Sequence, residues 1–453
     1  MSSLLLKGCL LTATMDDQQQ ELAGSDIAIR DGWIEAVGAG VQGEFDEVID
    51  CSRFLAIPGL INTHHHLFQT LTRGFAAGDG RPLFEWLQTL YPVWAGLDDS
   101  MIYDSTRAGL AELALSGCTT CADHLYLFPP GSEDFIDRQV EAARDIGLRF
   151  HPTRGSMDLG QSQGGLPPDG VVQDRNTVIR DSERVIDTYH DSSPGSMLRI
   201  GLAPCSPFSV TPELMLESAG LARDEDVRLH THIAETLDEA AFSQKNFNMT
   251  PMQLLGHLGW LGPDVWLAHS VHVDSTDTAL LARHGASVAH CPTSNMLLAS
   301  GLAPVRDYLN AGVHVGLGVD GSASNDANDL RQEVKQAMLA ARTRDGVRAL
   351  TSREALRMAT RGGAECLGRD DIGSIQPGKQ GDITLVDVSS LECSGGQEDR
   401  VSAAILGAPQ IDTVIVRGRQ VVRDGRLASH DKDEIAARQN ESSRRLFEAW
   451  RAT

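Results

Sequence analysis

The stretch PGLINTHHH, residues 58–66, places three histidines directly after a run of apolar residues. Short apolar runs bounded by turn residues predict buried β-strands. Because side chains alternate along an extended chain, His64 and His66 are expected on the same side, as two ligands of one metal ion must be. The stretch therefore predicts a strand that ends at a metal site.

Seven further runs of this kind follow, and helical patterns fill the intervals between them. The eight predicted strands are Leu55–Asn62, Thr119–His124, Leu148–Arg154, Leu198–Cys205, Val227–His232, Val265–His269, Ala286–Cys291 and Val313–Asp320. The helical patterns include Ser105–Ser116, Ile136–Ile146 and Asp326–Thr343. Alternating strands and helices indicate a parallel sheet with crossover helices. Eight alternations favour a closed (β/α)8 TIM barrel, and the predicted fold class is α/β.

The two ends of the chain predict a smaller β-sheet domain. Its predicted strands include Asp26–Arg30, Trp33–Val37, Gly381–Val386 and the hairpin Thr413–Val422. We expect residues 1–57 and 370–453 to form one discontinuous β-sandwich, with the barrel spanning 58–369. The spaced apolar positions of Asp433–Trp450 predict a closing helix.

Composition limits the partners and the compartment. The chain of 453 residues has 62 acidic and 39 basic residues, a formal charge of -23, which repels nucleic-acid phosphates and anionic membranes. Its opening lacks the basic leader and cleavage pattern of an export signal, and an apolar span of ~20 residues is not found. Eight dispersed cysteines suit reduced thiols. We therefore expect a cytoplasmic protein that binds neither nucleic-acid polymers nor membranes.

Residue types that bind metals stand at four of the predicted strand ends. They are His64 and His66 at the first, His230 and His232 at the fifth with Glu235 beyond it, His269 at the sixth, and Asp320 at the eighth. Three imidazoles and a carboxylate bind a borderline divalent ion such as Zn or Fe(II) and leave a position for water. One histidine-rich stretch also fits a purification tag or core histidines, but four separate strand ends favour a metal site.

These strand-end segments resemble the metal and catalytic motifs of the amidohydrolase superfamily over essentially the whole chain. The segments are PGLINTHHH (58–66), HTHIAE (230–235), AHS (268–270) and GVDGS (318–322). The resemblance implies that the metal ligands are His64, His66, His232 and Asp320. It also implies that Glu235 and His269 lie beside the bound water.

The number of metal ions follows from a missing residue type. Dinuclear members of the superfamily bridge two metals with a carboxylated lysine from a middle strand. Between His66 and His232 this chain has no lysine. We therefore expect one divalent metal, Zn with Fe(II) as the alternative, as in the mononuclear aminohydrolases.

Each catalytic candidate has an expected role in hydrolysis. A bound divalent cation lowers the pKa of water from ~15.7 towards ~7. Glu235 is expected to accept the water proton and pass it to a ring nitrogen. Asp320 is expected to deliver the second proton to the departing amine, and His269 to stabilise the developing oxyanion or orient the attacking group.

Four pocket segments resemble those of 8-oxoguanine deaminases, and next those of triazine hydrolases. They are LFQTLTR (67–73), RGSMDLG (154–160), APCSP (203–207) and SASND (322–326). Gln69 is the candidate for purine binding, since a carboxamide both donates and accepts hydrogen bonds. Cys205 is expected either to contact the imidazole side of a purine or to fill the core. The aromatic candidates for stacking, or for simple packing, are Trp86, Trp94 and Tyr126.

The resemblance thus implies deamination of 8-oxoguanine to urate and ammonia, by a homodimer acting on a small nitrogen heterocycle. The alternatives are a guanine or isoxanthopterin deaminase and an s-triazine hydrolase that displaces an amine or halide. A more remote alternative is a metal-binding scaffold without catalysis, which would need no positioned acid or base such as Glu235.

Overall fold

The computed structural model of the protein describes residues 3–452, which form strands, α-helices and a few short 3-10 segments. The strands are β1 (Ser3–Cys9), β2 (Leu11–Ala13), β3 (Glu21–Leu22), β4 (Ser25–Arg30), β5 (Trp33–Gly38), β6 (Glu47–Asp50), β7 (Phe54–Pro58), β8 (Leu60–Asn62), β9 (Cys118–Leu125), β10 (Arg149–Ser156), β11 (Gly201–Pro204), β12 (Arg228–Ile233), β13 (Val265–His269), β14 (Ser287–His290), β15 (Val315–Leu317), β16 (Ile383–Asp387), β17 (Ile411–Val416), β18 (Arg419–Arg423) and β19 (Arg426–Leu427). The α-helices are α1 (Leu83–Trp94), α2 (Asp99–Leu115), α3 (Phe135–Ile146), α4 (Arg175–Tyr189), α5 (Pro212–Asp224), α6 (Leu237–Phe247), α7 (Pro251–His257), α8 (Ser275–His284), α9 (Pro292–Leu297), α10 (Val305–Ala311), α11 (Leu330–Asp345), α12 (Ser352–Arg357), α13 (Gly363–Cys366), α14 (Arg400–Gly407) and α15 (Lys432–Ala452).

The central element is a closed barrel of parallel strands, β8 to β15 within the described residues. Neighbouring strands pair in chain order, and β15 closes the ring on β8 through Leu317 and Asn62. The strands are short and almost wholly buried, as expected where helices cover a parallel sheet. The predicted TIM barrel is confirmed. Its strands bring their carboxyl ends to one face, where such barrels carry their active sites.

Two further sheets are built from the chain ends. In the described range, one sheet has the order β5-β4-β1-β6, and the other has the order β19-β18-β17-β16-β7-β2-β3. The first comes from the amino-terminal part alone, whereas the second combines both ends. Leu6 and Ile27 of the first sheet share an apolar cluster with Ile383 and Ile415 of the second. The ends therefore form a sandwich as predicted, while the domain boundaries at 57/58 and 369/370 stay a prediction.

The predicted strand Leu55–Asn62 is wrong as a single barrel strand. Phe54–Pro58 pairs antiparallel with Ile383–Asp387 in the sandwich, and only Leu60–Asn62 belongs to the barrel. Gly59 separates the two strands, and a Cβ at this position would lie 2.2 Å from the side chain of Thr119. The apolar run was continuous because both of its halves are buried, although they belong to different sheets.

The closing helix α15 packs beside the barrel mouth. Ser442 donates to the buried carboxylate of Asp104 at 2.7 Å, and Gln439 donates to Thr70 at 2.9 Å. Thr70 lies in a 3-10 helix, Leu67–Thr72, which directly follows the three histidines. The carboxyl-terminal helix thereby supports the segment that carries Gln69.

Across residues 3–452, no helix combines the length and the apolar character that a membrane span requires. All eight cysteines are free and buried.

Candidate metal centre and active site

The residues expected to bind metal meet at the carboxyl ends of the barrel strands, and all are buried. Nε2 of His66 lies 3.1 Å from Nε2 of His232. Oδ1 of Asp320 lies 3.4 Å from Nε2 of both His64 and His66. Four potential ligand atoms thus converge from three separate strand ends.

The hydrogen-bond partners of two imidazoles fix their tautomers. Nδ1 of His66 lies 2.6 Å from the carbonyl oxygen of His124, and Nδ1 of His232 lies 2.7 Å from that of Cys205. A carbonyl oxygen only accepts, so each Nδ1 carries the proton and each Nε2 presents a lone pair. Two lone pairs 3.1 Å apart repel each other unless a cation lies between them.

A relay through a further histidine orients His64 in the same sense. Nδ1 of His230 donates to the carbonyl oxygen of Trp266 at 2.7 Å, which leaves Nε2 of His230 as an acceptor. Nδ1 of His64 lies 2.8 Å from this nitrogen and donates to it. Nε2 of His64 therefore carries a lone pair, and it is a buried atom without a hydrogen-bond partner among the described residues.

The protonation state of these imidazoles suits metal binding. Burial lowers the pKa of His64, lowers that of His66 to about 3, and lowers that of His232 far below its usual value. Neutral imidazole is the form that binds a metal ion. Three lone pairs and one carboxylate, facing each other in a buried space, fit a divalent cation.

Sequence reasoning assigned no role to two histidines here. His230 sets the tautomer of His64, and its place two residues before His232 on β12 was the available signal, since alternation puts both on one face. His124 stacks on His232 with ring centroids 4.7 Å apart, and its ligand atom lies within 4.8 Å of those of His64, His66 and His232. Its signal was its position at the end of the second predicted strand.

The acid–base candidates lie next to this cluster. Nε2 of His269 lies 3.6 Å from Glu235 and 3.8 Å from Asp320. Ser300 donates to Glu235 at 3.3 Å, and Nδ1 of His269 lies 2.9 Å from the amide oxygen of Asn295. The structure thus brings Glu235, His269 and Asp320 together beside the candidate metal ligands.

Burial and charge raise the pKa values of both Glu235 and His269. Burial raises the pKa of Glu235 above its usual value. Burial alone would lower the pKa of His269, but the carboxylates of Glu235 and Asp320 outweigh it and raise that pKa. A buried carboxylate with a raised pKa, beside an imidazole that donates a hydrogen bond, is suited to proton transfer and to stabilising an oxyanion.

The backbone is strained where these side chains emerge. His269 has φ 68° and Asp320 has φ 63°, in the left-handed region that non-glycine residues rarely adopt. Asp320 is also held by hydrogen bonds from Ser294 at 2.6 Å and from the backbone N–H of Gly321 at 2.7 Å. Such strain persists only where the surroundings over-determine it, and it is concentrated at functional sites.

A fully buried carboxylate fixes the backbone of the proposed base. Glu239, in the first turn of α6, accepts the backbone N–H groups of Ala234 and Glu235, each at 2.8 Å. Ala234 has φ 52°, so these two bonds hold an unusual turn between β12 and α6. Nothing in the sequence distinguished Glu239 from an ordinary acidic residue near a helix start.

A small cavity opens onto the acid–base group. Glu235, His269 and Asp320 line it, together with both predicted substrate-binding residues, Gln69 and Cys205. Oε1 of Gln69 is buried without a hydrogen-bond partner in the part of the chain described here. Burial raises the pKa of Cys205 to about 12, so its thiol is neutral.

The aromatic candidates separate into two groups. Trp86 and Tyr126 line the cavity. Trp94 is instead a core residue, packed edge to face on Phe68 at 5.2 Å and donating its indole N–H to Thr72. Tyr91, which the sequence did not single out, also lines the cavity.

The comparison with family models agrees with this geometry. The model of the amidohydrolase family matches residues 55–421, which contain the barrel and every site residue above. The chain belongs to the amidohydrolase family. This amidohydrolase is accordingly an enzyme, a hydrolase acting on C–N bonds.

Relatives of this amidohydrolase match it along nearly its whole length. An 8-oxoguanine deaminase from Pseudomonas aeruginosa is 46% identical over 428 residues, covering 94% of this chain and 95% of the relative. A hydroxydechloroatrazine ethylaminohydrolase from a Pseudomonas species is 37% identical, with 96% and 94% covered. The zinc complex of atrazine chlorohydrolase from Arthrobacter aurescens is 36% identical and superimposes with a TM-score of 0.93, covering 97% of this chain and 100% of that one.

Proposed function

We propose that this protein is a metal-dependent aminohydrolase that deaminates a purine, converting 8-oxoguanine and water into urate and ammonia. The observation that carries the proposal is the unpartnered, buried amide oxygen of Gln69 beside the acid–base group. The identity of 46% to an 8-oxoguanine deaminase supports the choice of substrate. The reducing state expected for eight free thiols suits a cytoplasmic enzyme.

We assign the ligands of one zinc ion to His64, His66, His232 and Asp320. The converging lone pairs support this set, and a structural relative was solved with zinc. When bound, the ion supplies a water molecule of strongly lowered pKa. The carboxylate of Asp320 fits this role, since its Oδ1 lies 3.4 Å from Nε2 of both His64 and His66.

The protein side chains then move the protons. Glu235 accepts a proton from the attacking water and delivers it to the ring nitrogen next to the reacting carbon, which makes that carbon more electrophilic. Asp320 takes the second proton from the oxygen that has added to the ring carbon and delivers it to the amine, whose bond to that carbon then breaks to release ammonia. His269, 3.6 Å from Glu235 and 3.8 Å from Asp320, stabilises the negative charge on the attacked oxygen.

Gln69 is proposed to fix the orientation of the ring. Its amide lies against the backbone next to Asp320, because a Cβ at Gly321 would be 1.9 Å from Oε1 of Gln69. The carbonyl and N–H groups of a purine edge match a carboxamide, which offers both an acceptor and donors. Binding there would satisfy a buried acceptor that otherwise destabilises the protein.

The test is a steady-state assay of the zinc-loaded protein with 8-oxoguanine, guanine, isoxanthopterin and an aminotriazine. We expect 8-oxoguanine to have the highest kcat/KM, and Glu235→Gln to lower kcat by at least a hundredfold, about the contribution of a positioned general base. Glu213→Gln, the same change at an exposed helix position, is the control. Release of no ammonia from any purine would overturn the proposal.

Hydrolysis of an s-triazine is the second candidate. The structural match to atrazine chlorohydrolase and the identity of 37% to a triazine aminohydrolase favour it. Turnover of the aminotriazine alone would establish this function. Bound metal without turnover of any compound in the panel would instead indicate a scaffold.

A further inference from the structure

Tyr91 carries a polar group that the proposed mechanism leaves unused. Its side chain is fully buried in helix α1, and its hydroxyl has no hydrogen-bond partner among residues 3–452. Burying a hydroxyl without a partner destabilises a folded protein, so such a group is rare unless a ligand satisfies it. Tyr91 also lines the cavity that contains Glu235 and Asp320.

Ring contacts place Tyr91 farther from the metal ligands than Tyr126. The ring of Tyr126 lies 5.0 Å from that of His66. Within the described chain, Tyr91 has no such ring contact with a histidine, and its aromatic neighbour is Trp94 at 6.1 Å. The thiol of Cys205 affects the pKa of Tyr91, whereas Asp320 is among the groups that affect the pKa of Tyr126. Tyr91 therefore lies farther from Asp320 than Tyr126 does.

The side chains of Tyr91, Tyr126 and Cys205 are uncharged at neutral pH. Burial raises the pKa of Tyr91 and of Tyr126 well above the usual value, and that of Cys205 to about 12. A neutral phenol is a hydrogen-bond donor as well as an acceptor. The partner that fits it is an uncharged polar atom, such as a carbonyl oxygen, on a neutral ring.

We propose that Tyr91 is a specificity-determining residue whose hydroxyl donates a hydrogen bond to an oxo group at the end of the heterocycle remote from the reacting carbon. The assignment rests on the proposed purine substrate. In 8-oxoguanine the carbon that loses its amine is C2 of the six-membered ring, and the C8 oxo group is at the opposite end of the molecule. Guanine has a C–H at this end and leaves the phenol unpaired.

The consequence is discrimination between oxidised and unoxidised purines. A site built to hydrogen-bond a substrate group rejects the analogue without that group, because its own buried polar atom then stays unpaired. Removing the phenol hydroxyl should weaken binding of 8-oxoguanine and leave binding of guanine unchanged or stronger. A merely structural Tyr91 would affect both ligands alike.

The test measures dissociation constants of 8-oxoguanine and guanine by calorimetry on zinc-loaded Glu235→Gln protein, with and without Tyr91→Phe. We expect Tyr91→Phe to weaken 8-oxoguanine binding about tenfold, as for one neutral hydrogen bond, and guanine binding not at all. Tyr103→Phe, which removes a hydroxyl that bonds Asp145 at the surface, should change neither constant. The unfolding temperature of ligand-free Tyr91→Phe should equal or exceed that of the parent.

Each outcome separates the two levels of the proposal. Equal weakening of both purines, or no weakening of either, would overturn the role of Tyr91 while wild-type turnover of 8-oxoguanine upheld the proposed function. A fall in the ligand-free unfolding temperature would show that the hydroxyl is structural. Absence of purine turnover by the wild-type enzyme would overturn both.

Discussion

Replacing Glu239 with glutamine tests whether a buried carboxylate holds the proposed base in place. Glu239 is fully buried and accepts two consecutive backbone N–H groups, from Ala234 and Glu235, each at 2.8 Å. In Glu239→Gln one acceptor oxygen becomes an NH2 group. One backbone N–H then faces a donor and is left unpaired.

The expected loss of stability depends on pH. An unpaired buried N–H costs about 1–3 kcal/mol. Burial raises the pKa of Glu239 from 4.5 to about 7, so the folded wild type binds its proton more tightly than the unfolded chain. The stability from this proton is complete below pH 4.5 and is lost as the pH rises through 7. Between pH 6 and 8 wild type loses about 1 kcal/mol that the glutamine variant does not.

The measurement is the free energy of unfolding at pH 6 and pH 8, with kinetics at pH 7. We expect Glu239→Gln to be destabilised by about 1–3 kcal/mol at pH 6 and by about 1 kcal/mol less at pH 8. Because the backbone of Glu235 is loosened, kcat should fall roughly ten- to a hundredfold with little change in KM. Asp238→Asn, an exposed change one residue away on α6, is the control.

An unaltered unfolding profile and an unaltered kcat in Glu239→Gln would refute this reasoning. A loss of stability with normal kcat would show that the two hydrogen bonds support the fold but do not position Glu235.

Three further outcomes follow from the site. His230→Phe keeps the stacking on Trp266 but removes the hydrogen-bond acceptor for Nδ1 of His64. Zinc affinity, measured by chelator competition, should therefore fall ten- to a hundredfold, about the effect of losing such a supporting partner. An unchanged affinity would contradict the orienting role of His230. Gly321→Ala should displace the flexible amide of Gln69 and raise KM about tenfold, while the unfolding temperature stays unchanged. The control is Gly170→Ala, where the new Cβ meets nothing within 4 Å. An equal rise in KM in this control would argue against a role of Gln69 in binding. Burial raises the pKa of Glu235 above its ordinary value of 4.5, and a general base must be ionised to act. As the pH is lowered, kcat/KM should therefore begin to fall at a pH above 4.5. A fall only below pH 4.5 would exclude Glu235 as the general base.

Helices and strands with regular apolar patterns could be predicted from the sequence, since these patterns depend on neighbours along the chain. The pattern of Val265–His269 coincides with the observed β13, and most other barrel strands differ only at their ends. The exception is the apolar run Leu55–Asn62, which is divided between two sheets. An apolar run reports that side chains are buried, but not against which sheet they are buried.

The sequence by itself determined the barrel and the cluster of candidate metal ligands at its mouth. The parallel strands of a barrel bring their carboxyl ends to one face, so the sequence alone predicts that His66, His232 and Asp320 lie near each other. The roles proposed for them rest on that placement and on the family motifs.

Only the tertiary structure decided which polar groups lack partners and which are held. His230 donates to the carbonyl oxygen of Trp266, Glu239 accepts two backbone N–H groups of the preceding turn, and the hydroxyl of Tyr91 has no partner among residues 3–452. Residue type and spacing do not specify these arrangements. Whether a hydrogen bond forms depends on differences of a few tenths of an ångström in the donor–acceptor distance, and packing sets that distance. The sequence therefore located the chemistry, and the packing of the barrel set the tautomers, the buried charges and the open cavity on which that chemistry depends.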